Sequence, residues 1–253
     1  MLFMGKARQK RENRNGSRKR GNKYENNVIQ ADFSNDYANP VAKSLVGKNR
    51  EQKSYINMIK NNTVTVGIGE PGTGKTFIPS VLAAQELVDI HSDIEQVILV
   101  RPNEPLGKSL GMLPGDLAEK LEPWLEPIAD GMKWAIGDHA YKGYVERQKI
   151  KFLAIEHARG RTFNNSYVIV DEAQNISVEA MVCLLTRVGQ DCRLIICGDI
   201  AQKDIKGDSG LALLMEVYEK YENAPFSMIE LIDNVRSAES KAFYDIFKDM
   251  GKV

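Results

Sequence analysis

The residues that point most clearly to chemistry lie in one glycine-rich stretch, Gly69 to Thr76, which reads GEPGTGKT. It fits G-x-x-x-x-G-K-[ST] at all four fixed positions, with an apolar run before it and a helix-like run after it. Glycines let backbone N–H groups turn inward around a triphosphate, and a helix N-terminus adds partial positive charge. We therefore expect a phosphate-binding loop in which Lys75 reaches the β- and γ-phosphates of ATP and Thr76 ligates Mg²⁺. The residues expected to contact the nucleotide here are Gly69, Glu70, Pro71, Gly72, Thr73, Gly74, Lys75, Thr76 and Phe77.

An acidic pair follows a second apolar run, where YVIV leads directly into Asp171 and Glu172. In a triphosphatase site Asp171 would complete the Mg²⁺ shell, and Glu172 would orient and deprotonate the attacking water. Acids are common at strand ends, so the pair alone is equally compatible with a solvated turn. The glycine-rich loop upstream favours the catalytic interpretation.

Three further polar residues follow predicted strands. Asp199 and Gln202 come after the run RLIICG and are candidates to sense the γ-phosphate, although Gly-Asp is also a common turn. Arg236 follows the last predicted strand and is the candidate within the chain to stabilise charge on the transferring phosphoryl group. An isolated arginine is otherwise most often a solvated surface charge.

A pair of arginines flanks a glycine in the segment HARGRT, at Arg159 and Arg161. Guanidinium groups bind phosphates in a bidentate geometry, so this segment could grip a nucleic-acid strand or the nucleotide of a neighbouring subunit. The competing interpretation is ordinary surface charge on a loop.

These residues must be positioned by strands that alternate with helices. Six strands are predicted, over Thr63–Ile68, Gln96–Arg101, Lys151–Glu156, Tyr167–Asp171, Arg193–Gly198 and Phe226–Ile232. Helices are predicted over Lys48–Asn61, Lys75–Ile90, Leu117–Ile136, Ser177–Val188, Ser209–Tyr221 and Ala238–Met250, with Asn175 and Ser177 available as caps. Near-continuous apolar strands predict an α/β fold, a doubly wound and mostly parallel sheet with the ligand at the carboxyl ends of its strands.

Composition is that of a globular protein, with 253 residues, 43% hydrophobic and 27% charged. No apolar run approaches the roughly 20 residues that span a bilayer, and the start of the chain is polar and basic rather than signal-like. Three cysteines without a C-x-x-C pair are typical of reduced, buried thiols. We therefore expect the protein to reside in a reducing cytoplasm.

The formal net charge of zero conceals a basic N-terminus. Residues 1–23 contain nine basic side chains and one acid, which leaves 25 basic and 33 acidic groups in the remainder. We expect residues 1–45 to be a disordered basic arm and linker, and residues 46–253 to form one ATPase domain. Such an arm is attracted to nucleic-acid phosphates, although a solubility tail or a misplaced start codon would look the same.

Taken together, the motifs resemble the PhoH-like family of ATP-binding proteins, of which many phages carry a short member. The stretches that carry the resemblance are GEPGTGKT, VRPNEPLGKSLGMLPGDL, EHARGRTF, VIVDEAQN, LTRVGQ and GDIAQKDI, in family order. The family is similar to the first motor domain of superfamily 1 helicases, a P-loop NTPase fold of the RecA type. The resemblance implies that Gln52 reads adenine, that DEAQ is the Walker B motif, and that Asp199 with Gln202 couples the γ-phosphate to a bound strand. It also implies that Arg236 contacts the γ-phosphate.

Superfamily 1 helicases close a second motor domain over the nucleotide, and we expect none in this chain. The site is then completed by a neighbouring subunit in a homo-oligomeric ring, or hydrolysis is slow. Arg159 and Arg161, with Arg187 behind them, are the candidates for the arginine acting in trans or for nucleic-acid contact.

The sequence thus favours an ATPase that couples hydrolysis to binding, translocation on or unwinding of single-stranded nucleic acid. RNA is favoured over DNA, although no stacking signature or 2′-OH reader in the sequence distinguishes the two. The alternative is a nucleotide-dependent oligomeric switch or scaffold without motor activity. A small-molecule kinase fits less well, because such kinases do not need the DEAQ and GDxxQ pair.

Overall fold

The computed structural model describes residues 40–102, 117–235 and 238–251. Its strands are β1 (Val64–Gly69), β2 (Gln96–Arg101), β3 (Ile150–Ala154), β4 (Ser166–Val170), β5 (Arg193–Gly198) and β6 (Ser227–Leu231). Its helices are α1 (Arg50–Asn61), α2 (Phe77–Val88), α3 (Leu117–Ile136), α4 (Asp138–Glu146), α5 (Val178–Leu185), α6 (Gly210–Lys220) and α7 (Ala238–Asp249). Short 3₁₀ turns occupy Ile155–Ala158, Ala173–Asn175 and Ile200–Gln202.

All six strands form one sheet in the order β3-β2-β4-β5-β1-β6, and every neighbouring pair is parallel. The central strands are apolar runs because helices cover both faces, and all five residues of β4 are buried. The predicted doubly wound, parallel α/β fold is therefore confirmed. Its parallel order brings the ends of β1, β4 and β5 side by side, which places the phosphate-binding loop beside the acidic pair.

The core consists of two apolar layers, one on each face of the sheet. On one face the layer includes Tyr55, Ile128 and Tyr167, and α1 to α4 pack over it. On the other face the layer includes Phe163 and Met181, and α5 and α6 cover it. Because helices cover both faces of the sheet, a ligand can reach the sheet only at the ends of its strands.

The element bounds agree with the sequence prediction to within two residues, except that α5 ends at Leu185 rather than Val188, and three further details differ. Helix α4 was not predicted, and it begins after Gly137, whose φ of 85° interrupts the helical path from α3. The third strand ends at Ala154 rather than Glu156, because the chain turns into a 3₁₀ helix there. The Ser177 side chain caps α5 by accepting from the Ala180 amide, whereas Asn175 accepts from the Asp204 amide instead.

Within the described ranges, no helix is both long enough and apolar enough to cross a membrane. The predicted basic arm lies outside the described residues as far as residue 39, and so does Arg236.

Candidate nucleotide site

The phosphate-binding loop takes its shape from glycines with positive φ. Gly69, Gly72 and Gly74 have φ values of 152°, 85° and 94°, which side chains other than glycine rarely adopt. A Cβ at Gly69 would also collide with the carbonyl oxygen of Leu231 on the neighbouring strand β6. The loop conformation therefore depends on the glycines that define the sequence motif.

Two buried side chains fix the phosphate-binding loop through the backbone of Lys75. The Tyr55 hydroxyl donates to the backbone carbonyl of Lys75 at 3.1 Å, and the Cys197 thiol donates to the same oxygen at 3.0 Å. Burial raises the pKa of Tyr55 well above its usual value, so the hydroxyl remains a neutral donor. Gly67 makes room for this contact, because a Cβ there would collide with the Tyr55 hydroxyl.

The segment after β6 and helix α7 also contact the phosphate-binding loop. The Asn234 side chain donates to the Pro71 carbonyl at 3.1 Å, and the Val235 amide donates to the Gly72 carbonyl at 3.0 Å. On α7, Lys248 forms an ion pair with Glu70. The segment that precedes Arg236 is thus attached directly to the phosphate-binding loop.

Gln52 lies at the base of the loop, with its side-chain amide committed to backbone partners. Its Nε2 donates to the Thr73 carbonyl at 2.9 Å, and its Oε1 accepts from the Lys48 amide at 2.8 Å. The residue is only 4% exposed, yet it still lines the cleft. Adenine recognition by Gln52 stays a prediction, and these hydrogen bonds give the residue a second task in fixing the loop.

The two predicted magnesium ligands meet across the sheet. The Thr76 hydroxyl donates to Oδ1 of Asp171 at 2.8 Å, although the residues are 95 positions apart. Burial and the neighbouring Glu172 raise the pKa of Asp171, while the hydrogen bond from Thr76 and the charges of Arg101 and Lys75 lower it. A hydroxyl and a carboxylate oxygen fit Mg²⁺, which prefers oxygen ligands and keeps only a few from the protein. Half-buried Lys75 donates from Nζ to the Glu70 carbonyl at 3.3 Å, within the loop.

Two side chains donate hydrogen bonds to the Glu172 carboxylate, and neither was predicted as a site residue. Arg101 Nη2 lies 3.2 Å from Glu172 Oε1, and Gln174 Nε2 donates to Glu172 Oε2 at 2.7 Å. The backbone of Glu172 is left-handed, with φ 54° and ψ 40°, which is uncommon for a residue other than glycine. The carboxylate therefore has a defined orientation at the end of β4.

Gln174 also connects Glu172 to the predicted sensor residues. Its Oε1 accepts from the Asp199 amide at 3.0 Å, and its Nε2 lies 3.5 Å from the Gln202 carbonyl oxygen. The Gln202 side chain in turn donates to the Asp199 carboxylate. A continuous hydrogen-bond network thus joins the ends of β4 and β5, although the sensing role itself stays a prediction.

A cleft of about 760 Å³ opens above this arrangement. It is bordered by part of the phosphate-binding loop and by Gln52, Asp171, Glu172 and Gln202. The rest of its lining comes from the segment before α1, from α2 and α3, and from the segment after β6, namely Leu45, Val46, Lys48, Phe77, Ile78, Glu126, Pro127, Asp130 and Val235. Most of the predicted nucleotide-site residues therefore converge on one concave surface at the carboxyl ends of the strands.

Residues 44–248 match the family model described as PhoH-like protein. The chain belongs to the PhoH-like family. It is 40% identical over 195 residues to a PhoH-like protein of Bacillus subtilis, a match that covers 76% of this chain and 60% of that protein. It is 36% identical over 199 residues to Protein PhoH of Escherichia coli, covering 77% of this chain and 55% of that protein. The chain spans little more than half the length of these curated relatives.

Among solved structures, the Pif1 helicase of Candida albicans is similar at 15% sequence identity with a TM-score of 0.42. This match covers 81% of the present chain and 44% of the helicase chain.

In this PhoH-like chain the three predicted trans arginines lie away from the cleft. Arg159 and Arg161 are exposed after β3, the outermost strand of the sheet, and none of the three is among the described lining residues. Arg187 is half-buried, and its carbonyl accepts from the Phe163 amide at 2.8 Å, which ties the two segments together. Arg236 lies outside the described residues.

Sequence reasoning missed Arg101, Gln174 and Tyr55 as parts of the site. Arg101 is the last residue of β2, and only the strand order places it beside β4. Gln174 belongs to the DEAQ motif, which was a usable signal, whereas nothing in the local sequence distinguishes Tyr55 from an ordinary core residue of α1.

Proposed function

We propose that this chain is an ATPase that binds Mg·ATP in the cleft and hydrolyses it. The observation that carries the proposal is the convergence of Lys75, Thr76, Asp171 and Glu172 at the ends of β1 and β4. The 2.8 Å contact between Thr76 and Asp171 shows how closely these two elements approach. A lysine, two oxygen ligands and a separate carboxylate are the groups that phosphoryl transfer to water requires.

Each residue has a distinct part in the proposed mechanism. The loop amides and Lys75 hold the β- and γ-phosphates, while Thr76 and Asp171 hold Mg²⁺. When bound, the metal supplies positive charge that offsets the charge developing on the phosphate oxygens. Glu172, fixed by its two donors, orients a water molecule in line with the γ-phosphate and accepts its proton.

The remaining proposed roles rest on the motif set. Gln52 recognises adenine, and Asp199 with Gln202 senses whether a γ-phosphate is present. Arg236 stabilises the transferring group from within the chain. Arg159, Arg161 or Arg187 performs the same task across a subunit interface in a homo-oligomeric ring, or contacts nucleic acid instead.

We further propose that hydrolysis is coupled to single-stranded nucleic acid, RNA rather than DNA. Two features support this coupling: the basic arm, which we assign to residues 1–45, and the network from Glu172 to Gln202. Through that network, hydrogen bonds link the residues after β5 to the proposed catalytic carboxylate of Glu172. The ATPase domain would then comprise residues 46–253.

Steady-state ATP hydrolysis by the full chain tests the enzymatic part of the proposal. Lys75→Ala is expected to abolish turnover because it removes the charge that holds the phosphates. Glu172→Gln is expected to retain nucleotide binding and to reduce kcat by at least about 100-fold, since it removes a base without removing a phosphate contact. Full turnover by Glu172→Gln would refute the assignment of the base.

The same assay with single-stranded RNA or DNA, at low and moderate salt, tests the coupling. Stimulation that weakens with added salt and is absent in Lys75→Ala would support a nucleic-acid-coupled motor. Turnover that is indifferent to both nucleic acids would instead favour a nucleotide-dependent switch or scaffold.

A further inference from the structure

Arg101 is the cation nearest to the proposed catalytic base among the contacts that the structure describes. Its Nη2 lies 3.2 Å from Glu172 Oε1, and the side chains of the pair are 22% and 35% exposed respectively. Arg101 has no role in the proposed mechanism. Arg101 is the last residue of β2, and it precedes Glu172 by 71 positions in the sequence.

The strand register explains why Arg101 reaches this carboxylate. Strand β2 pairs in parallel with β4, with Val100 opposite Val170, and the Asp171 amide donates to the Val100 carbonyl at 3.0 Å. The pairing continues to the ends of both strands, so Arg101 emerges beside the two acidic residues. Of the two strands beside β4, only β2 ends in an arginine, since β5 ends at Gly198.

The Glu172 carboxylate is held by one donor on each oxygen. Its backbone is left-handed, unlike the strand that precedes it, and the carboxylate is partly open to solvent. Gln174 holds one oxygen through a neutral amide, while Arg101 holds the other through a charge-assisted contact, which is the stronger kind of hydrogen bond. Without Arg101, one oxygen would lose its described donor and the carboxylate would rotate more freely.

We propose that Arg101 is a positioning residue of the ATPase site, which holds the Glu172 carboxylate at the orientation needed to align the attacking water. This inference rests on the proposed ATPase function and adds a residue that acts through the base rather than on the substrate. Arginine suits this task because its planar guanidinium donates in a fixed geometry, whereas the lysine ammonium is a mobile point charge.

Substitution of Arg101 in the full chain tests the proposal, with nucleotide binding and turnover measured separately. Arg101→Ala is expected to reduce kcat about 10- to 100-fold, since small misplacements of catalytic groups have effects of that size. The Kd for a fluorescent ATP analogue and the KM for ATP are expected to change by less than about threefold. Arg101→Lys is expected to recover part of kcat, because it retains the charge but not the planar donor geometry.

A double-mutant cycle with Glu172→Gln separates positioning from general structural damage. If Arg101 acts through Glu172, Arg101→Ala causes no further loss of single-turnover rate in the Glu172→Gln background. Arg147→Ala is the matched control. Arg147 is more exposed than Arg101, and it lies close to the amino end of β3, at the opposite end of the sheet from the cleft.

Three results would overturn the proposal: an equal loss of nucleotide affinity and kcat, an unchanged or raised kcat, or an undiminished loss in the Glu172→Gln background. Normal turnover by the wild-type chain and Arg147→Ala would show that the ATPase function stands even if the role of Arg101 fails. Absence of turnover in the wild-type chain would overturn both.

Discussion

Lys75 is positioned through its backbone as well as presented through its side chain. Tyr55 and Cys197 both donate to its carbonyl oxygen, and Tyr55 is completely buried beneath the loop. A buried carbonyl with good donors fixes the peptide plane, and so the direction in which the lysine side chain leaves the loop. The proposed phosphate contact of Lys75 therefore depends on two residues that lie beneath the loop.

Tyr55→Phe is expected to lower the free energy of unfolding by about 1 kcal/mol, the usual contribution of one buried hydrogen bond. It should also raise the KM for ATP severalfold, because the Lys75 peptide then retains only the weaker thiol donor. Urea denaturation and steady-state kinetics would measure the two effects. Tyr218→Phe serves as control, since Tyr218 is 46% exposed. Unchanged stability and KM in Tyr55→Phe would mean that Cys197 alone suffices.

At the scale of elements, the contact between α2 and α3 sets the position of the loop. Gly131 on α3 faces the start of α2, where a Cβ would lie 2.7 Å from Ser80 Cβ and 3.0 Å from the Phe77 carbonyl oxygen. Phe77 follows Thr76 directly, and its ring meets Trp134 of α3 edge-on at 5.7 Å. Any change that pushes α3 away from α2 is therefore transmitted to Thr76, the proposed magnesium ligand.

Gly131→Ala is expected to destabilise the protein by about 1–3 kcal/mol, as overpacking in a close contact does. This sign is opposite to the stabilisation of about 1 kcal/mol that replacing glycine by alanine normally brings inside a helix. Thermal and urea unfolding would measure the effect. The control is Gly207→Ala, because a Cβ at Gly207 meets nothing within 4 Å. A more stable Gly131→Ala variant would show that the two helices can separate without cost.

At the scale of the whole molecule, the core contains four groups that must stay protonated. Burial raises the pKa of Cys192 to about 11, and it raises the pKa values of Cys197, Tyr55 and Tyr167 as well. Cysteine thiols in the unfolded chain have a pKa of about 8.5. Above that pH the folded state therefore holds more protons than the unfolded state, and stability declines as the pH rises.

We expect the free energy of unfolding to fall by roughly 1–2 kcal/mol per buried thiol between pH 8 and pH 10. Urea denaturation followed by circular dichroism at several pH values would measure this decline. Cys192→Ala should reduce the pH dependence, because it removes one of the titrating groups. A stability that is constant from pH 8 to pH 10 would contradict the assignment of these thiols to the closed core.

The sequence by itself determined the parts of the protein that depend on local chemistry. The GEPGTGKT loop could be recognised because its glycines must adopt positive φ and its lysine and threonine have fixed positions relative to them. The strands were predictable because a strand covered on both faces must be apolar throughout. Helix α4 was missed because Gly137 interrupts an otherwise amphipathic stretch, so the pattern alone did not show that a second helix resumes.

Only the tertiary structure decided which strand ends meet. The sequence predicts six strands but not their order in the sheet. The order β3-β2-β4-β5-β1-β6 brings Thr76 to Asp171 and Arg101 to Glu172. Those pairs are separated by 95 and 71 positions, distances over which local propensity and periodicity carry no information. The residues of the proposed site could therefore be named from the sequence, while the contacts that orient its carboxylates arise from the parallel pairing of distant strands.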